Sequence, residues 1–565
     1  MGESRRVNCG DGVTLERGVA CCMSDGVVLR SDHYYAAGEK PKPTLLMRQP
    51  YGRDIASTVV YAHPIWFARR GYNVVIQDVR GRGRSEGTFY PFRHEGRDGA
   101  ETIAWLRTRP ECNGHIGMYG FSYQGATQLL AAAEQPEGLE CIAPAMTACD
   151  LYRGWFYQNG ALRLASSLGW GLQMLKEDAR RLGLREASGK LESAWSRVRA
   201  QAAVMPYAEH PAIADPELPS YVRDWFEQDV PDEYWSAMDV SERARKIVVP
   251  ALHLSGWYDT YLEGSVRGFE LLRRYAGTER AREGQYLVAG PWVHIPWGDR
   301  VGEAEFGDAA MLDTDALLLR WFDHWLKDSG AFAKEPRVRH FALGVNRWFE
   351  ANDCCGAEER TYFLHSGGRA ESRKGDGSLS EGGAGDESPD VFVYDPEVPV
   401  VAPGGPLSLS GTFDQSAMEL GNNLLVYTSE PLTEVMHVFG SPRVVVYAET
   451  SAGCADLTAK LVRVTGGRAE FCCIGIARST YLFGETYEGD RVHRWEFALE
   501  PTSCVFAVGE RVRLEIAGSA FPLYDRNPSN ATKPSRMTQW NWERSTHMVF
   551  HDAERGSALH LPVVI

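Results

Sequence analysis

The segment Gly120-Phe121-Ser122-Tyr123-Gln124-Gly125 constrains the fold of this chain more than any other. Before it, residues 115–119 read as a buried strand; after it, Ala126, Leu129, Leu130 and Ala133 fall on one helical face. A serine between glycines at a strand-to-helix junction has the form GxSxxG, one residue wider than the GxSxG of a nucleophile elbow. Small residues let the backbone bend there so that the serine oxygen stands clear of the sheet edge. The following helix aims its first amides toward developing negative charge. An ordinary glycine turn carrying an exposed serine is the competing reading.

The surrounding pattern says what sheet the turn belongs to. Between residues 43 and 144, short β-rich runs (44–48, 73–78) alternate with helical patterns (near 61–70 and 96–107), the signature of a parallel sheet with crossover helices. From 151 to 245 the β signal disappears, and residues 172–184 and 191–202 have amphipathic helical spacing. Strand patterns resume at 247–254 and 285–289. Past Pro336 the texture becomes strands divided by Gly, Pro, Asn and Asp, including 443–448, 457–464 and 511–517. The expected fold class is α/β. Residues 1–150 and 246–335 form the two parts of an α/β-hydrolase domain, 151–245 a helical cap, and 336–565 a jelly-roll β-sandwich. Residues 374–390, rich in Gly, Ser, Asp and Glu, read as a mobile surface loop.

An elbow of this kind needs an acid and then a histidine on later strand ends. Asp259, in Gly256-Trp257-Tyr258-Asp259, follows the first of the resumed strands, and His294, in Gly290-Pro291-Trp292-Val293-His294, follows the second. Either could be a solvated loop residue, but their order suits the chemistry. His253 lies inside a predicted strand, and His63, His94 and His115 precede the serine, so His294 is the expected base. Serine is a weak nucleophile until a neutral imidazole takes its proton, and a buried carboxylate stabilises the imidazolium that forms. The backbone N–H of Tyr123 is one expected oxyanion donor. No HGGG segment occurs in the first half. Arg48-Gln49-Pro50-Tyr51-Gly52-Arg53 instead follows a strand end, and the Tyr51 hydroxyl can supply the second donor, with aromatic packing as its other role.

Charge and cysteine usage narrow the partners. The 60 Lys+Arg against 75 Asp+Glu give a formal charge of −15, which repels phosphate backbones and anionic surfaces, so nucleic acid is not an expected partner. Residues 1–30 contain no apolar segment suited to a signal peptide or membrane span, which points to a cytoplasmic protein with no membrane partner. The adjacent pairs Cys21/Cys22, Cys354/Cys355 and Cys472/Cys473 are poorly placed to bridge within themselves, and reduced thiols are expected. With neither CxxC nor HExxH, no metal or other cofactor is expected. The run DVRGRGRS at 78–85 completes neither GxGxxG nor a P-loop and reads as a structural loop with internal Arg–Asp pairs. A homo-oligomer is compatible with all of this.

Taken in order, RQPYGR, DVRGRGRSEG, GFSYQG, GWYDTY and GPWVH resemble the cocaine esterase and α-amino-acid ester hydrolase family, which includes X-Pro dipeptidyl-peptidases and glutaryl acylases. The likeness spans nearly the whole chain, with LVYTSEPL (425–432) and AGSAFP (517–522) resembling the family's jelly-roll segments. It implies a hydrolase domain, helical cap and jelly roll meeting at the active site, with Ser122 as nucleophile, Asp259 as acid, His294 as base and Tyr51 as oxyanion donor. Members that act on α-amino acyl groups carry acids two and three places beyond the catalytic aspartate. Here those places hold Tyr261 and Leu262, leaving a buried ammonium without a counter-charge unless Glu263 supplies one. The sequence is closer to the esterases with aromatic pockets, and Phe156, Trp170 and Tyr261 are candidate pocket liners, with core packing as the alternative for each. The expected activity is hydrolysis of carboxylic esters of small hydrophobic or aromatic acyl groups through an acyl-enzyme. Amide or peptide cleavage, acyl transfer or cyclisation, and a retired scaffold or binding protein are the alternatives.

Overall fold

The structure, a computed structural model, describes residues 5–564 except 37, 39, 55–57, 384, 405–410 and the side chain of 485. Its first sheet is built from β1 (Arg5–Asn8), β2 (Thr14–Cys22), β3 (Val28–Tyr35), β4 (Lys42–Gln49), β5 (Asn73–Asp78), β6 (Cys112–Phe121), β7 (Leu139–Ala145), β8 (Ala251–Tyr258), β9 (Gln285–Val293), β10 (Val338–Ala342) and β11 (Arg347–Ala351). The spatial order is β1-β2-β3-β5-β4-β6-β7-β8-β9-β10-β11. The stretch from β5 to β10 is parallel, and the flanking pairings are antiparallel. Crossover helices α1 (Pro64–Ala68), α2 (Glu95–Arg107) and α3 (Tyr123–Ala133) cover it, so that every residue of β5 and β8 is buried.

The sheet does not stop at residue 335, as the sequence pattern suggests. β10 runs parallel to β9 and β11 returns beside it, so the first sheet takes in strands up to residue 351. A period-2 strand pattern announces a strand but not the sheet it joins, which is why the texture past Pro336 reads as sandwich.

Between β7 and β8 lie α4 (Leu164–Leu182), α5 (Arg185–Trp195) and the shorter helices Val198–Gln201, Tyr221–Glu227 and Glu233–Ser236. The expected helix over 191–202 is broken, because α5 ends at Trp195 and the chain turns at Arg197 before the next short helix. The C-terminal unit is mainly β, with thirteen strands in one sheet among the described residues, including Arg443–Thr450, Asp456–Thr465 and Arg511–Ala517. Residues 374–390 are not simply a surface loop. Ser378–Ser380 pairs with both Glu358–His365 and Leu424–Ser429, and the single Ser366 hydroxyl proton is shared between Asp376 (2.7 Å) and buried Asp390 (2.8 Å). Acidic residues that look like solvated loop composition are acceptors here.

One buried ion cluster ties the three units together. Arg163, fully buried just before α4, reaches Glu263 of the α/β unit (2.9 Å) and Glu500 of the β unit (2.8 Å). A buried guanidinium is tolerated only when paired, and removing it strands two carboxylates. Arg163→Met is expected to lose about 3–5 kcal/mol of unfolding free energy in urea titrations. Burial pushes the Glu500 carboxyl from its ordinary value of 4.5 to about 7 against the pull of Arg163. The native protein therefore holds this proton more tightly than the unfolded chain, and the group's contribution to stability, intact below about pH 4.5, declines as pH rises through about 7. Glu500→Gln is expected to lack that decline, so its unfolding free energy relative to wild type rises between those two pH values.

Candidate active site

Three strand ends converge. β6 enters a turn at Ser122, whose φ of 61° and ψ of −128° lie outside the regions open to ordinary residues. The turn is fixed on every side. Ser122 N–H donates to Ala145 O (2.8 Å), and a Cβ on Gly120 would lie 2.4 Å from the Gln124 Cβ. Gly125 explains the wider motif: a Cβ there would sit 2.7 Å from Thr147 Cγ2 and 3.0 Å from Ala145 O, so the glycine lets α3 lie directly against the end of β7. Gln124 occupies the place of the usual glycine and accepts the Phe121 N–H through Oε1 (3.2 Å).

Asp259 comes directly after β8, past a register shift between Gly256 and Tyr258 that re-aims the strand end. Gly256 is needed there, because its Cβ would be 2.3 Å from Trp292 O. Asp259 is fully buried, and its Oδ1 lies 2.7 Å from His294 Nδ1, while Oδ2 has no hydrogen-bond partner among the described residues. His294 follows β9, with its carbonyl accepting from Trp297 Nε1 (3.1 Å) and its ring edge-on to Tyr261 at 5.1 Å between centroids. A carboxylate can only accept, so the proton sits on Nδ1; Nε2 then faces Ser122 Oγ at 3.1 Å as the acceptor. His253 is a core residue instead: its Nε2 meets Gln285 Oε1 at 3.0 Å, and burial lowers its pKa to about 4.

Tyr51 is placed by the loop after β4. Its N–H donates to Gln49 Oε1 (2.9 Å), Gly52 takes a positive φ of 95°, and Arg53 N–H donates to Asp78 Oδ1 (2.7 Å). The Arg53 guanidinium pairs with Asp78 and with Asp32. Burial pushes the Tyr51 phenol up to about 12, against the nearby Trp170 and Ser122 side chains, so it stays protonated and able to donate. Among the described residues, Trp170 Nε1 has no acceptor at hydrogen-bonding distance. Tyr123 opens α3, so its N–H belongs to the first turn, which lacks intrahelical acceptors. Its side chain points away: the hydroxyl donates to Glu95 Oε1 (2.8 Å) and accepts from Phe92 N–H (2.9 Å), while Glu95 pairs with Arg48 (3.0 Å). The arginines of the 78–85 loop pair outside the loop and not within it: Arg80 with Asp98 (2.7 Å) on α2 and Arg82 with Asp178 (3.0 Å) in the cap.

Ser122 and His294 open into a cavity of ≈ 520 Å³ between sheet and cap. Trp170 and Tyr261 line it; Phe156 does not. Phe156 is fully buried behind it against Trp225 (4.6 Å) and Trp235 (5.1 Å), because its place in the cap insertion is a core position and not an open one. The sequence reading missed Phe121, Gln173, Trp195 and Ile295 as liners. Phe121 and Ile295 adjoin the serine and histidine in the chain, a signal that was there to use; Gln173 lies one helical turn beyond Trp170 on α4. Among the described residues, no Asp or Glu lines this cavity. Glu263 faces Arg163 instead.

Known proteins resemble this chain in sequence and in fold. Residues 25–296 match the X-Pro dipeptidyl-peptidase (S15 family) profile, and residues 330–560 match the X-Pro dipeptidyl-peptidase C-terminal non-catalytic domain. Cocaine esterase of Rhodococcus sp. (strain MB1 Bresler) is 32% identical over 566 residues, which covers 96% of this chain and 97% of the esterase. An aminopeptidase from the marine sediment archaeon Thaumarchaeota archaeon has the same fold with a TM-score of 0.79 at 22% identity, covering 100% of this chain and 96% of its own. An α-amino acid ester hydrolase gives 0.78 at 23% identity, covering 99% and 97%. With the serine, imidazole and carboxylate in hydrogen-bonding sequence at the edge of this sheet, the chain belongs to the cocaine esterase and X-Pro dipeptidyl-peptidase family of serine hydrolases.

Proposed function

We propose that this hydrolase cleaves carboxylic esters of small, uncharged, aromatic or hydrophobic acids, with Ser122, His294 and Asp259 as its catalytic residues. The observation that carries the reading is the lining of the cavity: aromatic rings of Phe121, Trp170 and Tyr261 beside the serine, and no carboxylate among the described residues. An amino-acyl or peptide substrate would bring an ammonium into this space without a counter-charge, which is costly. The identity with a cocaine esterase over nearly the full length supports an ester as substrate. The S15 match is the observation behind the second reading, cleavage of X-Pro amides.

In the proposed reaction, Ser122 Oγ attacks the carbonyl carbon as its proton passes to His294 Nε2, and Asp259 steadies the imidazolium through Nδ1–H. The Tyr123 N–H and the Tyr51 hydroxyl donate to the oxyanion. The C–O bond to the alcohol breaks, the alcohol takes the proton from Nε2, and a water molecule repeats the sequence to release the acid. In this reading the α/β unit comprises residues 1–150 and 246–351, with 151–245 as cap and the β unit beyond.

A fluorophosphonate probe is expected to label the wild type and not Ser122→Ala; an unlabelled, folded wild type would reject the enzyme in favour of a scaffold. Benzoyl esters are expected to show higher kcat/KM than aminoacyl esters or X-Pro anilides, and the reverse ranking would overturn the pocket argument. Tyr51→Phe, which keeps the ring and removes the donor, is expected to lower kcat about 10²–10³-fold with little change in KM.

A further inference from the structure

Three exposed apolar side chains stand at the mouth of the catalytic cavity: Val59 (50% exposed), Trp195 (39%) and Ile295 (45%). They come from distant places: the loop after β4, the end of α5, and the residue after His294. Large apolar side chains left open together beside a reaction centre mark a binding surface. Trp195 is also held in place. Lys176 Nζ lies 4.1 Å from its ring centroid and is itself fixed by Glu192 at 2.8 Å. A stiff aromatic ring loses little entropy when a ligand packs on it.

The chemistry says which part of the substrate reaches this rim. The departing alcohol oxygen must collect its proton from His294 Nε2, so the alcohol lies on the histidine side of the serine, where Ile295 continues the chain to the mouth. The acyl group takes the interior, where Phe121 and Tyr261 are buried. Resting on the esterase reading above, we infer that Val59, Trp195 and Ile295 form a leaving-group subsite that selects esters of bulky, apolar, uncharged alcohols. A methyl or ethyl alcohol offers these three side chains little apolar surface, whereas an alicyclic or aryl alcohol offers much more.

The test holds the acid constant and varies the alcohol: kcat/KM for methyl benzoate against cyclohexyl benzoate, in wild type, Trp195→Ala and Val59→Ser. Wild type is expected to prefer the cyclohexyl ester. Trp195→Ala is expected to reduce cyclohexyl turnover about tenfold and methyl turnover by far less, collapsing the ratio, as loss of one aromatic contact of this kind implies. Val59→Ser, on a different segment, should shift the ratio in the same direction. A wild type with no preference between the esters, or variants that slow both equally, overturns the subsite while leaving the esterase reading standing. Hydrolysis of neither ester by a fluorophosphonate-reactive wild type removes the esterase reading and the subsite with it. A wild-type dimer in sedimentation that Trp195→Ala converts to monomer would make the rim a subunit contact and also overturn the proposal.

Discussion

Ser122 meets His294 only while its backbone holds a φ of 61°, a conformation that a residue with a Cβ adopts at a cost of order 1–3 kcal/mol. The cost is met by the neighbours that leave the turn no alternative. The serine N–H is bonded to the end of β7, Gly120 leaves room for Gln124, and Gly125 lets α3 press onto Thr147. The extra residue in the motif is therefore a shift in which glycine serves helix packing, with Gln124 bonding across the turn instead.

Around that turn, ions are buried in pairs that each join separate pieces of chain. Arg48 and Glu95 brace the start of α3 through Tyr123, and Arg53 locks the Tyr51 loop onto Asp78 and Asp32. Arg82 reaches the cap at Asp178, and Arg163 joins cap, α/β unit and β unit. Buried charge of this kind adds little net stability compared with well-packed hydrocarbon, but an unpaired partner is so unfavourable that it discriminates against other placements of the same segments. The cavity wall on α4 is fixed in this way at its beginning, by Arg163, and along its length, by Asp178.

Much of the site was legible because its chemistry dictates local sequence. A strained serine turn demands small residues next to it, and the acid and base of such a sheet must follow later strands in that order, as Asp259 and His294 do. Tyr51 was legible through motif resemblance, since nothing in its local pattern separates a donor from a packing ring. Phe156 was not legible: in a cap this rich in aromatics, the side of a helix that faces the cavity depends on how the helices pack, and Phe156 faces Trp225 while Trp170 faces the serine. That the strands at 338–342 and 347–351 join the first sheet is not legible, because alternation of apolar residues is the same in either sheet.

The sequence by itself determined the order of elements, the bend that exposes one serine and the residues able to activate it, because each rests on local backbone sterics or on side-chain chemistry. Only the tertiary structure decided the 3.1 Å approach of His294 to Ser122, the absence of acid from the described cavity lining and the apolar rim at its mouth. Those depend on contacts between residues 100 or more positions apart, and their geometry is set by the packing of the cap and sheet against each other, which no local pattern encodes.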